Sequence, residues 1–178
     1  MTSSYYQKLL KKVIDNSNEK KWEEAVLEWD ITDWAEDEEF ETSCICGKEN
    51  IRYLFTITNR KNGRELEPIG SSCIKKFKRD DLDNETALFE QLFKLQKALS
   101  NKKFINLSSD YFSRKLLKYF YEKGIFNSEY NSYNGKNDYE FMCKMFNKRN
   151  KENITPKQQE KINAIIIFQI IPYLKDLL

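Results

Sequence analysis

Three of the four cysteines bracket one short segment: Cys44 and Cys46 open it in "CICGK", and Cys73 closes it in "GSSCI". Any fold of this chain has to bring those ends together around the hairpin written between them. In "IRYLFTIT", Ile51, Tyr53, Phe55 and Ile57 alternate with Arg52, Leu54, Thr56 and Thr58. Period two with β-branched and aromatic residues predicts a strand. "NRKNG" over 59–63 is turn chemistry, because Asn and Gly tolerate positive φ. "RELEPI" returns as a shorter strand, with Pro68 at an edge. "GSSC" then turns into a helix capped by Ser71 or Ser72.

That layout suggests metal. Gly47 lets the backbone fold so that amides face the sulfurs, and Cys73 arrives at a predicted helix N-terminus, where the dipole favours thiolate. A knuckle, a hairpin and a helix start are how treble-clef and ribbon-like zinc sites join distant ligands. Structural zinc takes four ligands in a tetrahedron, and only three are local. Cys143, in "YEFMCKMF", could fold back to complete a four-cysteine site; Glu49, Asp80 or a water are the alternatives. Taken alone, Cys143 between Met142 and Met145 fits a small buried apolar side chain better than a ligand. A redox pair is disfavoured, because the C-x-C spacing faces a hairpin and not a thioredoxin-like helix.

Composition removes several classes. There is no histidine, so His-based triads, His general bases and His ligands are excluded. The five glycines form neither G-x-x-x-x-G-K-[ST] nor G-x-G-x-x-G. Apolar residues at 40% and charged residues at 33% over 178 residues predict a globular chain with a real core. No apolar run reaches the length of a membrane span, and "MTSSYYQKLLKKVIDN" lacks a signal peptide's apolar core. The expectation is a cytoplasmic protein that engages no membrane. Cysteines there are reduced, which favours metal over disulfide.

Helical spacing covers 3–15, with Tyr6, Leu9, Leu10, Val13 and Ile14 apolar, and a second helix is predicted over Lys20–Trp29. The acidic run after Trp29 is expected to be partly extended. From 83 onward the pattern is helical throughout. "SDYFSRKLLKYFYEKG" is read as capped at its Ser-Asp start and ended by Gly124. "TPKQQ" supplies Thr155 as cap, Pro156 at the first helical position and Gln158 to complete a capping box. Pro172 is expected to end or kink that last helix. The polar loop "NSEYNSYNGKN" at 127–137 is expected to be mobile.

The net charge of +2 conceals an asymmetry: residues 22–41 hold ten acidic side chains and no basic one. Asp30, Asp33, Glu36, Asp37, Glu38, Glu39 and Glu41, rimmed by Trp29 and Trp34, could imitate a nucleic-acid backbone towards a protein partner. Opposed to them, Arg60, Lys61 and Arg64 sit at the hairpin tip and Lys75, Lys76, Lys78 and Arg79 follow Cys73. Held on neighbouring elements, these could contact phosphates. Internal docking of one block on the other, or ordinary solvated faces, are the simpler alternatives.

The order W-E-x-A-x-x-E-W, C-x-C-G, I-x-x-x-x-x-I-x-N-x-x-x-G, G-S-x-C-I-x-x-F resembles a group of small proteins of phages and other mobile elements. It is carried here by Trp22, Glu23, Ala25, Glu28, Trp29, Cys44, Cys46, Gly47, Ile51, Ile57, Asn59, Gly63, Gly70, Ser71, Cys73, Ile74 and Phe77. Ile154, Thr155, Lys157 and Gln158 match a tail motif of the same group. The resemblance covers roughly 22–77 and implies a zinc-ribbon-like structure with nucleic-acid or nucleoprotein partners. It implies no established activity. A histidine usually follows C-x-C-G in that group; Lys48 stands there in this chain, which would make the clasp vestigial if that histidine is the fourth ligand.

The expected fold is therefore α+β: a helix over 1–21, an acidic segment with a Cys-bounded β-hairpin module over 22–82, and a helical domain over 83–178. The expected function is non-enzymatic binding of nucleic acid or a nucleoprotein through a zinc-type module. Inhibition of a host defence nuclease, of the anti-CRISPR type, through the acidic segment is the second expectation, and a small nuclease the third.

Overall fold

The computed structural model describes residues 3–177. The fold is α+β, as expected, and divides into two compact units, Met1–Phe89 and Glu90–Leu178. The division falls inside a long helix, α4 (Asp80–Ser100).

In the first unit, α1 (Ser4–Asp15) is capped by the Ser3 hydroxyl, which accepts the Tyr6 N–H at 3.2 Å, and buries Leu9 and Val13. The helix predicted over Lys20–Trp29 is shorter than expected: α2 (Trp22–Ala25) passes into one 3-10 turn, Val26–Glu28. Glu28 ends it because its buried carboxylate is pulled inward by donors from Asn18, Glu19 and Asn59. The chain then extends as β1 (Trp29–Glu36), so half of the acidic run is a strand. Trp29 anchors that strand. Its ring is wholly buried and its indole N–H donates to the Ser17 hydroxyl at 2.8 Å, tying the sheet to the end of α1.

β2 (Tyr53–Asn59) and β3 (Glu65–Ile69) complete an antiparallel sheet in the order β1-β2-β3. Trp29 pairs with Asn59 and Glu36 with Tyr53, with a bulge between Ile31 and Asp33. Phe55 and Ile57 are buried, as the period-two pattern requires, and Phe89 of α4 stacks on Trp34 at 4.7 Å. Pro68 lies in edge strand β3, where the β2–β3 register slips; a residue without an N–H is tolerated there. Gly63, at φ +72°, closes the turn by donating to the Asn59 carbonyl. A short helix, α3 (Ser71–Ile74), follows, continued by a 3-10 turn, Lys75–Phe77. Its cap is Gly70, not Ser71 or Ser72: the Gly70 carbonyl accepts the Cys73 and Ile74 N–H groups, which makes Ser71 the first helical residue.

The second unit is helical. α5 (Arg114–Glu122) starts later than its Ser-Asp signal suggests, because the chain first turns over 108–112. Its cap is Ser113, whose hydroxyl accepts the Leu116 N–H at 3.1 Å and donates to Gln91 at 2.8 Å. Gly124, at φ +74°, lies just past its end as expected. α6 (Lys136–Asn147) and α7 (Pro156–Ile165) follow, and the Thr155–Gln158 capping box forms as the sequence requires. Pro172 neither ends nor sharply breaks this helix. A π turn over Ile166–Ile170 widens the ladder just before it, and Pro172 becomes an early residue of α8 (Ile171–Asp176). The wider turn accommodates a residue that lacks an amide proton.

The 127–137 loop is tied down by several hydrogen bonds. The Asn131 side chain donates to the Phe126 carbonyl at 2.6 Å and to buried Asp138 at 2.8 Å, and Gly135 N–H donates to Asn127. Among the described residues no helix is long and apolar enough to cross a membrane.

Candidate functional site

The knuckle is built by two backbone bonds: Gly47 N–H to the Cys44 carbonyl at 2.8 Å and Cys44 N–H to the Lys48 carbonyl at 2.9 Å. Gly47 takes φ +92°, which a side chain would resist. Ile45 N–H donates to the Pro68 carbonyl at 2.9 Å and fastens the knuckle to the end of β3. Cys73 enters from the first turn of α3. The hairpin therefore folds back on its own base, and Cys44 meets a residue 29 positions further on.

Cys44, Cys46 and Cys73 are all buried, and their sulfurs lie within 4.8 Å of one another. Cys44 and Cys73 are 3.6 Å apart, far beyond the ~2.05 Å of a disulfide. Bonds of about 2.3 Å in a tetrahedron place sulfurs about 3.8 Å apart, so the spacing suits a metal ion. The Gly70 N–H points at Cys44 Sγ at 3.3 Å, a hydrogen bond that stabilises thiolate charge. Without metal the cluster shares protons unequally. The Cys73 S–H bond, with the Cys46 and Gly70 amides, pulls Cys44 down to about 5 against the effect of burial. Cys73, donating that bond and buried beside the resulting charge, is pushed up. Three soft sulfur donors, one already leaning towards ionisation, are a donor set for a thiophilic ion.

Among the described residues, this is the group of His, Cys, Asp and Glu side chains placed to hold a metal. Glu49 and Asp80 do not join it. Cys143 lies on α6 in the second unit, half-buried, in hydrogen-bond contact with Tyr139, whose phenol is raised first by burial and then by that contact.

The seven basic candidates divide into two kinds. Arg79 is a fastener: its guanidinium donates to the Val26 carbonyl at 3.0 Å, to the Trp29 carbonyl, to Asp30 at 3.3 Å and to Asp81 at 2.7 Å. Arg60 pairs with Asp30 at 2.8 Å, and Lys61 faces Glu19 and Glu28. Arg64 reaches the Asp15 carbonyl at 3.3 Å while Asn62 holds Asn16 and Asn18, so the hairpin tip is docked on the α1–α2 loop. Lys76 lies over the Tyr6 ring, and Lys75 and Lys78 are exposed. Replacing Arg79 with alanine is expected to cost about 3 kcal/mol, since it takes the guanidinium donor from the Val26 and Trp29 carbonyls and from Asp81, while Asp30 keeps Arg60. Urea denaturation of the variant measures it, and a loss below ~0.5 kcal/mol would remove the fastening role.

The acidic candidates divide likewise. Asp30 is shared by Arg60 and Arg79, and Glu36 pairs with Arg52 at 2.5 Å. Asp37 folds the following loop, accepting from the Glu39, Glu41 and Thr42 amides and the Thr42 hydroxyl; that hydroxyl is the main cause of its lowered pKa. Asp33, Glu38, Glu39 and Glu41 remain exposed.

Several structurally decisive groups carry no sequence signal of their role: the Gly70 amide, Arg79 as a carbonyl clamp, and Glu28. No family model, curated protein or solved structure matches the chain.

Proposed function

We propose that this chain is a non-enzymatic binding protein, in the mobile-element setting its resemblance implies, in which zinc held by Cys44, Cys46 and Cys73 stiffens a module that engages nucleic acid or a nucleoprotein. The convergence of three buried sulfurs at the base of the hairpin carries the metal half of this proposal. The exposed Lys75 and Lys78, just beyond the third of those cysteines, support the second half. Charge favours a wider contact than the module alone. Residues 1–89 hold 14 basic and 19 acidic side chains, a net charge of −5, whereas residues 90–178 hold 16 and 9, a net charge of +7. The helical unit then supplies most of the positive field that a polyanion would meet.

Fluorescence anisotropy with labelled DNA and RNA at two salt concentrations tests this. Binding is expected at low salt, and Lys75→Ala with Lys78→Ala should flatten the salt dependence by about one unit of slope per lost phosphate contact. Absence of binding at low salt would eliminate direct nucleic-acid recognition.

A second function draws on the exposed Asp33, Glu38, Glu39 and Glu41: an acidic edge directed at a basic protein surface, such as a host defence nuclease. Charge reversal at Asp33, Glu38 and Glu39 should abolish inhibition there, while leaving nucleic-acid binding intact; unchanged inhibition would discard it.

A further inference from the structure

The first unit supplies three thiolates to its cluster and, among the described residues, no fourth histidine, cysteine or carboxylate. A closed structural site would have four protein ligands, whereas a site with three keeps one position for an outside donor. The surroundings of the cluster match the second case. Cys44, Cys46 and Cys73 line a cleft of about 220 Å³, open to solvent, whose walls include Lys48, Asn50, Arg52, Ser71 and Ser72. One water occupies about 30 Å³ of liquid, so the cleft admits a ligand of several heavy atoms beside the sulfurs. Phe40 and Ile51 add apolar wall to the same cleft.

Resting on the metal half of the function proposed above, we propose that this is an open three-thiolate site whose fourth ligand is exogenous and exchangeable: water at rest, displaced by a small neutral donor entering through the cleft. Charge selects the neutral donor. Three thiolates on a divalent ion already leave a net negative charge in a largely buried place. A fourth anion would add to it beside the buried sulfurs, and of the two cations in the wall Arg52 is already paired with Glu36, which leaves the exposed Lys48 alone to offset two negative charges. A neutral nitrogen or sulfur donor carries a lone pair to the ion without adding to that charge, and the cleft is large enough to receive a five-membered ring. The module would then hold its metal as a receptor for small ligands as well as a staple.

Cobalt(II), loaded anaerobically into the full chain, reports both parts. Its sulfur-to-metal charge-transfer intensity counts thiolates, and its visible bands respond to the remaining ligand. The expected spectrum is that of three thiolates, with visible bands that shift saturably on titration with imidazole. Cys143→Ser should leave both features unchanged, and Cys44→Ser should remove a third of the charge-transfer intensity or prevent loading. A four-thiolate spectrum that falls to three in Cys143→Ser would overturn the proposal and keep the metal. Visible bands that imidazole does not move would also overturn it. Absence of any charge-transfer band in the unaltered chain would overturn the metal assignment and this inference together.

Discussion

Replacing Glu28 with alanine is expected to destabilise the first unit by about 3–5 kcal/mol. The carboxylate is 1% exposed. It accepts the Asn18 N–H at 2.9 Å, the Glu19 N–H at 2.7 Å and the Asn59 side-chain amide at 2.6 Å, with Lys61 at 3.9 Å. One side chain thereby binds the α1–α2 loop to the start of the hairpin turn. Alanine would leave three donors unsatisfied, and each costs about 1–3 kcal/mol when buried. Glu28→Gln keeps the shape but turns an NH2 group towards donors, and should fall between alanine and the original. Urea titration followed by tryptophan fluorescence measures this well, since Trp22, Trp29 and Trp34 all lie in the first unit. A loss under ~1 kcal/mol for the alanine variant would show that water replaces the carboxylate at no cost.

The same carboxylate makes stability depend on pH. Burial pushes its pKa up, but the Asn59 side chain and the Asn18 and Glu19 amides outweigh burial, and the folded value lies below the ordinary 4.5. Its contribution is therefore complete above about 4.5 and lost as pH falls through the lower folded value. Glu28→Gln should show a weaker loss across that acid window than the unaltered chain.

If the proposed metal is bound, removing it is expected to cost nearly as much. For a ligand present at about a thousand times its dissociation constant, the linkage is worth about 4 kcal/mol. A chelator should lower the urea midpoint read by the three tryptophans accordingly, and Cys44→Ser should reproduce the loss without chelator. Cys143→Ser should not. Acid should release the ion as well, because the thiolates must stay deprotonated to hold it. Identical midpoints with and without chelator, in protein shown by mass spectrometry to carry metal, would deny the cluster a role in stability.

Both effects sit where local pattern and distant contact meet, which separates what could be foreseen from what could not. The period of "IRYLFTIT", the "NRKNG" turn and the Thr155–Gln158 box are local signals, and each formed as predicted, because a strand face, a tight turn and a helix cap are decided within a few residues. Where two local signals competed, the tertiary structure chose. Ser113 displaced the Ser-Asp pair as cap of α5, and the Gly70 backbone displaced Ser71 and Ser72 at α3. The acidic run was expected to be partly extended, and it is: pairing with β2 makes its first half a strand. Pro172 was absorbed by a π turn because the helix kept apolar residues to bury on both sides of it.

The cysteine spacing by itself determined that three thiols would flank one hairpin, since a hairpin returns its ends to the same place whatever surrounds it. The residue types alone also set the chemical character of the site, three soft donors and no histidine. Only the tertiary structure decided which charges were available to do anything. Arg79, Asp30, Glu36 and Asp37 look alike in the sequence to Lys78, Asp33, Glu38 and Glu39, yet the first four are taken up by carbonyls, amides and oppositely charged side chains, and the second four are exposed to water. A charge has no intrinsic periodicity that reveals its partner: it goes wherever the folded backbone leaves an unsatisfied group, and that is a property of the whole fold.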